Sequence, residues 1–232
     1  MHGLRAIICH HPADLRAARV LRRAIGRVAQ PSVEEIAKDA RIGPITRRAL
    51  GAGLLSDEAA LEIAASDHLI LICSPAAAQS EAMDDAAMVF KAAGRAHRII
   101  PVVVGGEPGG AGLPGLEAEE CLPYALRYAA DAQGHLTDHA ILPDFIDARA
   151  DASRAIPPAV AAAARIRGVA PATLAITDRS KRRKAAFFNG AMAAVVMLAL
   201  SLAPFMRESV DLTAEVEAAR QAGLAAQKAL DQ

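Results

Sequence analysis

Aromatic residues and cysteines are both scarce in this sequence. Phe and Tyr make up 3% of 232 residues and Trp is absent, so aliphatic side chains and alanine must fill the core. The three cysteines, Cys9, Cys73 and Cys121, contain no CxxC pair and indicate a reducing compartment rather than a disulfide framework. Cys9, His10 and His11 are not expected to bind a metal, because neighbouring strand residues point to opposite faces.

A net charge is also lacking, since 26 basic residues balance 26 acidic ones. The overall charge therefore gives no reason to expect a nucleic-acid partner. The glycine-rich segment GGEPGGAG at 105–112 has neither the lysine nor the hydroxyl of a P-loop, so we interpret it as a flexible loop. We expect no cofactor. The start, MHGLRAIICHHPAD, is not expected to be a signal peptide because its apolar stretch is brief.

The sequence does contain one long apolar run, AAFFNGAMAAVVMLALSLAPFM at 185–206. Its 22 residues carry no charge, and a helix of that length at about 1.5 Å per residue crosses the hydrocarbon layer. A buried core helix is the alternative interpretation, but core helices are rarely free of charge over this length. The run therefore predicts one transmembrane helix.

The charges that flank this run predict its orientation. RSKRRK precedes it, whereas RESVDLTAEVE follows it with one Arg and several acids, so the positive-inside rule puts the N-terminal part in the cytoplasm. The juxtamembrane basic residues also suit anionic lipid head groups. They are Arg179, Lys181, Arg182, Arg183 and Lys184. We expect lipid contact across 179–206.

Strand and helix patterns alternate before the basic segment. Apolar runs predict strands at 4–9, 68–73 and 98–104, with a further edge strand at 121–128. Helices are predicted over 15–28, from the N-cap Ser56 to Ala65, over 77–93 and over 152–167. The mixed region 30–53 is interpreted as a short strand and a long loop. Uniformly apolar strands alternating with helices predict an α/β fold whose parallel sheet is covered on both faces.

Several segments in this order resemble bacterial Toll/interleukin-1 receptor (TIR) domain proteins. They are IICHHPAD at 7–14, ASDHLILICSPAAAQS at 65–80, FKAAGRAHRIIPVVVGGEP at 90–108, EECLPYALRY at 119–128 and DAQGHLTD at 131–138. The block from ICSPAAA to GGEP is the most specific part. The opening departs from the family, which usually has a pattern like ISYSHAD there. The resemblance implies a flavodoxin-like, TIR-like sheet over roughly 4–175.

Bacterial TIR proteins often cleave NAD with a glutamate four positions after a tryptophan. The resemblance places these positions at Ala82 and Ala86, so both side chains are missing, and a methyl group cannot stabilise the developing positive charge on the ribose. Asp85 is the fallback carboxylate, but one residue along a helix turns a side chain by about 100°. The simpler interpretation of Glu81, Asp84 and Asp85 is a solvated helix start favoured by the helix dipole.

The family often uses an acidic, arginine-containing loop for contacts between domains. TRRALGAG at 46–53 is the matching segment. Arg47 fits the pattern, whereas Arg48 stands where an acid is usual. The resemblance therefore implies an interaction loop that includes Arg47, Arg48, Gly51 and Gly53. Its expected partners are proteins, among them other TIR domains or a second copy of this chain.

These observations predict four segments. A TIR-like cytoplasmic domain occupies 1–175, a basic linker 176–184, the transmembrane helix 185–206 and a periplasmic helical tail 207–232. We expect a single-pass protein of the bacterial inner membrane that acts as a non-catalytic interaction or signalling module. Two alternatives are an NAD-cleaving enzyme with a displaced carboxylate, for which NAD is a substrate, and a structural membrane protein that acts through its tail.

Overall fold

A computed structural model describes residues 3–28, 42–131, 133–150, 155–176 and 180. The described strands and helices belong to one compact unit, Met1–Arg179. The predicted membrane span, the tail and all five juxtamembrane basic residues lie outside the described residues. Within the described ranges, no helix combines the length and hydrophobicity that a membrane crossing requires.

The unit is built around a sheet of five parallel strands in the order β2-β1-β3-β4-β7. These strands are β1 (Leu4–His10), β2 (Ile42–Ala49), β3 (His68–Cys73), β4 (Ile99–Val103) and β7 (Ile146–Asp147). A separate antiparallel hairpin consists of β5 (Tyr128–Ala130) and β6 (Leu136–Ala140). The α/β class with a parallel sheet is therefore confirmed.

The helices that pack on the sheet include α1 (Leu15–Gly26), α2 (Asp57–Ala64), α3 (Pro75–Ala78), α4 (Glu81–Ala92) and α5 (Pro158–Arg167). Alternate residues of the central strands belong to two separate apolar clusters, because successive strand side chains point to opposite faces. Ile8 and Ile70 lie in the cluster that contains α1 and α5 residues. Ile7 and Leu71 lie in the cluster with α2 and α4 residues. Helices thus cover both faces.

The predicted N-cap of α2 is confirmed, and α3 begins with an N-cap of the same kind. The Ser56 hydroxyl accepts the backbone N–H of Ala59 at 3.3 Å, and α2 follows. The Ser74 hydroxyl accepts that of Ala77 at 3.2 Å at the start of α3. Such side-chain acceptors satisfy N–H groups that have no partner within the helix.

Three sequence-based boundaries were wrong. The expected strand at 121–128 is mostly irregular and contains a short 3-10 turn, Tyr124–Leu126. The last parallel strand is instead β7, whose two residues are too few to produce a hydrophobic periodicity in the sequence. The helix expected over 77–93 is divided into α3 and α4, because Ser80, at the N-cap position of the second helix, has an extended backbone. Helix α5 begins at Pro158, after an extended Pro157, so residues 155–157 of the helix expected over 152–167 are not helical, and 152–154 lie outside the described residues.

Candidate functional site

The loop after β2, residues 50–56, is fastened at the carboxyl end of the sheet. The Leu50 N–H donates to His10 O at 2.9 Å. The Ser80 hydroxyl donates to Gly51 O, and Asp85 Oδ2 accepts the N–H of Leu55 at 3.1 Å. Two anchors at the start of α4 therefore hold this 50–56 loop while its tip remains in solvent.

The tip of the 50–56 loop consists of three small residues and a leucine. Gly51, Ala52 and Gly53 are exposed, and the Leu54 side chain is 77% exposed. Gly51 and Gly53 each have open space where a Cβ would stand. The tip therefore presents one large apolar side chain to solvent among small residues.

Arg47 and Arg48 lie in strand β2, not in the loop that follows it. Arg48 Nη1 lies 3.3 Å from Glu58 Oε1 and 3.4 Å from Glu62 Oε2, both on α2. Solvent-exposed ion pairs of this kind contribute little stability, about 0–1 kcal/mol. The structure thus puts only Gly51 and Gly53 of the predicted interaction residues in the loop, while Arg48 links β2 to α2.

Ala82 and Ala86, where the resemblance puts tryptophan and the catalytic glutamate, face the core. Ala82 is 2% exposed and Ala86 is fully buried. Both belong to the apolar cluster on the α2–α4 face of the sheet, together with Met83 and Phe90. A carboxylate at position 86 of this chain would enter that cluster without a charged partner.

The two aspartates of α4 both accept backbone N–H groups. Asp85, the fallback carboxylate, accepts from Leu55 as described above, and Asp84 Oδ1 accepts from Ala125 at 2.8 Å. Burial raises the pKa of Asp84, although the hydrogen bond from Ala125 and the Arg127 charge oppose this effect. These contacts tie α4 to two neighbouring loops. The solvated helix start predicted from sequence therefore holds for the exposed Glu81 alone.

Polar groups at the ends of β1 and β3 also bond within the chain. The Ser74 hydroxyl donates to Asp14 Oδ2 at 2.6 Å, and His10 Nδ1 lies 2.8 Å from His11 O. His11 Nδ1 accepts the Ala13 N–H at 3.3 Å. Across the described ranges, no cluster of three or more His, Cys, Asp or Glu side chains is arranged to hold a metal ion.

The glycine-rich segment at 105–112 is organised by a buried glutamate that the sequence did not single out. The Glu120 carboxylate accepts N–H groups from Gly109, Ala111, Cys121 and Leu122 at 2.8–3.3 Å. The segment is therefore an ordered loop around Glu120, not the flexible loop expected from its composition.

Arg149 closes the neighbouring part of the carboxyl edge. Its guanidinium pairs with Asp147 at 2.8 Å and with Glu107 at 3.0 Å, and these hydrogen bonds raise its pKa. A cavity of about 370 Å³ lies beside Arg149 and Gly106. The guanidinium is already bound by carboxylates of the chain.

A scan against protein-family models, a search of curated proteins and a search of solved structures each returned no match to this chain.

Proposed function

We propose that this chain is a membrane-anchored, non-catalytic interaction module of the TIR type, and that its 50–56 loop makes the contact with protein partners. The proposal rests on the contacts that this loop makes and on the side chain that it exposes. It is fastened to α4 through Ser80 and Asp85, it exposes Leu54, and the adjacent position for a catalytic glutamate is the buried Ala86.

The sheet topology supports the TIR-like part of the proposal. The order β2-β1-β3-β4-β7 corresponds to the flavodoxin-like order 2-1-3-4-5 when β7 is counted as the fifth parallel strand. A shared fold alone does not give a function. The functional argument therefore depends on the loop and on α4.

The chemistry at α4 argues against NAD cleavage. Loss of nicotinamide leaves positive charge on the ribose, and a carboxylate beside the sugar stabilises that charge. Ala86 offers a methyl group, and Asp85 already accepts the Leu55 N–H at 3.1 Å. For Asp85 to act on NAD, this bond would have to break and the loop would have to move away.

Electrostatics support a position next to a membrane. Helix α1 has no acidic residue in its first turn, and its sequence LRAARVLRRAIG contains four arginines. Arg16, Arg19, Arg22 and Arg23 are all exposed. Each basic residue near an anionic bilayer contributes about 1 kcal/mol of attraction. Together with the apolar run 185–206 and RSKRRK, this suits a domain held at the cytoplasmic side of a bacterial inner membrane.

The absence of catalysis is tested with residues 1–179, the compact unit, incubated with NAD at high protein concentration with a crowding agent. We expect no release of nicotinamide from a sample shown to be folded, while an active TIR enzyme in parallel gives turnover. Nicotinamide release that Asp85→Ala abolishes would replace the proposal with the NAD-cleaving alternative.

The contact function is tested by self-association of the full chain in lipid nanodiscs, with a second copy as the partner. Chemical crosslinking is compared between the parent, Leu54→Ser and the control Leu142→Ser, since Leu142 is also exposed, at 62%. We expect Leu54→Ser to reduce crosslinked dimer at least tenfold and Leu142→Ser to leave it unchanged. Equal dimer yields in all three samples would remove the 50–56 loop as the contact surface.

The anchor is tested by alkaline extraction of bacterial membranes that contain the full chain. We expect the chain to stay in the membrane pellet, because about 20 apolar residues hold a protein in a bilayer. Deletion of 185–206 should release it. Release of the intact chain, or retention of the deletion variant after alkaline extraction, would contradict a membrane-spanning anchor.

A further inference from the structure

A cavity of about 560 Å³ opens at the amino end of the sheet, where β3 and β4 begin. Its walls include the end of α4, the β5–β6 hairpin and α5. Most of the lining is apolar, with Ile99, Leu126 and Ile141 among the contributing side chains. Small-molecule sites in proteins have volumes of roughly 300–1,000 Å³ and predominantly apolar walls with a few polar groups. The size and lining of this cavity fall in that class.

Lys91 places a buried cation in the wall of the cavity. Its side chain is 5% exposed, and its Nζ donates to the main-chain oxygens of Ala125 and Tyr128. Neither acceptor carries a negative charge, and an ammonium group has three N–H donors. Burial lowers the pKa of Lys91. A buried ammonium is costly unless an anion pairs with it, so this position favours an anionic ligand.

His68 supplies a second, independent polar group in the same wall. The residue is 9% exposed, so its ring is mostly removed from water. Among the described residues, its Nδ1 has no hydrogen-bond partner. A buried polar group without a partner costs about 1–3 kcal/mol. The ring is held in place as the first residue of β3, and the residue contributes to the lining of the cavity.

The charges that line the cavity leave an excess of positive charge. Asp144 is the carboxylate of the lining, and its Oδ2 lies 2.7 Å from Arg165 Nη2 at the rim. The Asp144 side chain is 89% exposed, so this pair is solvated. Arg165 neutralises Asp144, while the acceptors that the described residues offer to Lys91 are carbonyl oxygens. A neutral or cationic ligand would not use this arrangement.

We propose that this cavity binds a small monocarboxylate with an apolar body. The carboxylate pairs with the Lys91 ammonium, His68 is a second polar side chain in the same wall, and the apolar body lies against Ile99, Leu126 and Ile141. The site is separate from the 50–56 loop, because it lies at the amino end of β3 and β4 and the loop lies at the carboxyl end of the sheet.

The proposal is tested on the full chain in lipid nanodiscs, with empty nanodiscs as the blank. The probes are benzoate, 3-phenylpropionate and hexanoate, each compared with its own primary amide by isothermal titration calorimetry. We expect saturable binding of at least one acid and at least tenfold weaker binding of its amide, because the amide cannot pair with the ammonium. No saturable binding of any acid at millimolar concentration would overturn the proposal, as would equal affinity for an acid and its amide.

The two polar residues are tested with matched variants. We expect Lys91→Gln to weaken acid binding at least tenfold, while Arg16→Gln, which removes an exposed positive charge on α1, leaves it unchanged. We expect His68→Phe to weaken binding at least threefold, while His139→Phe, at an exposed position of β6, has no effect. Unchanged acid binding in Lys91→Gln would overturn the assignment.

A measurement on the unmodified chain tests the site without depending on whether the variants fold. With ¹⁵N-labelled histidine, binding of the acid should shift the imidazole resonances of His68 and leave those of His139 in place. The amide at the same concentration should produce a much smaller shift. Acid binding without any change at His68 would place the ligand elsewhere and would overturn the proposed site.

Discussion

The two ends of the parallel sheet use their polar groups in different ways. At the carboxyl end, Ser74 bonds to Asp14, Ser80 to Gly51 and Asp85 to the 50–56 loop. At the amino end, the wall of a cavity contains Lys91 and His68. Within the described part of the chain, Lys91 donates to main-chain oxygens and the buried His68 Nδ1 has no hydrogen-bond partner. Parallel sheets usually carry their functional side chains at the carboxyl end. In this chain the polar side chains named at that end bond to other parts of the fold, whereas unused hydrogen-bonding capacity lies at the amino end.

The largest effect that would sharpen this comparison is expected from Ala86→Glu. The substitution puts a carboxylate into a fully buried position of the apolar cluster, and we expect a loss of about 4 kcal/mol or more in the free energy of unfolding. Urea unfolding of residues 1–179 measures it. Ala64→Glu, at an exposed position of α2, is the control and should change the free energy of unfolding by only a few tenths of a kcal/mol. A stable Ala86→Glu variant that cleaved NAD would show that the carboxyl end retains a usable site.

The next largest effect concerns the hairpin at the amino end. Gly134 has φ +87°, and a Cβ there would lie 2.3 Å from Ala92 Cα. We expect Gly134→Ala to cost about 2 kcal/mol or more and to weaken acid binding, because it forces the hairpin away from the end of α4 that carries Lys91. Gly53→Ala, where a Cβ meets open space, should leave both quantities unchanged. Thermal unfolding and calorimetry measure them.

A smaller effect is expected from Asp85→Ala, which removes the acceptor of the Leu55 N–H. The variant should lose about 1–2 kcal/mol, and amide hydrogen exchange at Leu55 should accelerate. Glu81→Ala, an exposed change on the same helix, is the control. Unaltered exchange at Leu55 in Asp85→Ala would mean that the loop is not held by α4 and would remove the contrast between the two ends.

The smallest effect is a change in pH dependence at Asp84. Burial raises the pKa of this carboxyl, so its ionised form is disfavoured in the folded state. This destabilising contribution is absent below the pKa of the carboxyl in the unfolded chain, near 3.8. It is fully present above the raised pKa of the folded state. Asp84→Asn keeps an acceptor for Ala125 and removes the titration, so its stability relative to the parent should increase as pH rises through this window. Urea unfolding at acidic and neutral pH measures the difference, and a constant difference would contradict it.

The central strands could be predicted from sequence, because their apolar runs are long and uniform. Residues 68–73 were predicted as a buried strand and form β3. The region 121–128 was misread because Cys121, Leu122 and Leu126 are buried without being a strand. Strand β7 contains two residues and the hairpin strands are short, so neither produces a periodic signal. Burial alone does not distinguish these cases.

The candidate sites could be predicted only in part. The segment 46–53 was predicted by resemblance to be an interaction loop, and this stays a prediction. The contacts of Ser80 and Asp85 join residues about 30 positions apart and leave no local pattern. Lys91 was an ordinary helix residue in the sequence, and His68 was interpreted as part of an apolar strand. Their shared cavity arises from the packing of α4, β3 and the hairpin, which no motif encodes.

Because all three cysteines are buried, the rate at which a thiol reagent modifies them reports how often the folded domain opens. Cys9 and Cys73 are in central strands, Cys121 is beside the glycine-rich loop, and each is fully buried. Burial raises the pKa of all three thiols, that of Cys121 to about 12, so thiolate, the reactive form, is scarce at neutral pH. A thiol reagent should therefore modify the folded domain only as fast as each region opens, and the order of modification would reveal which part of the sheet separates first.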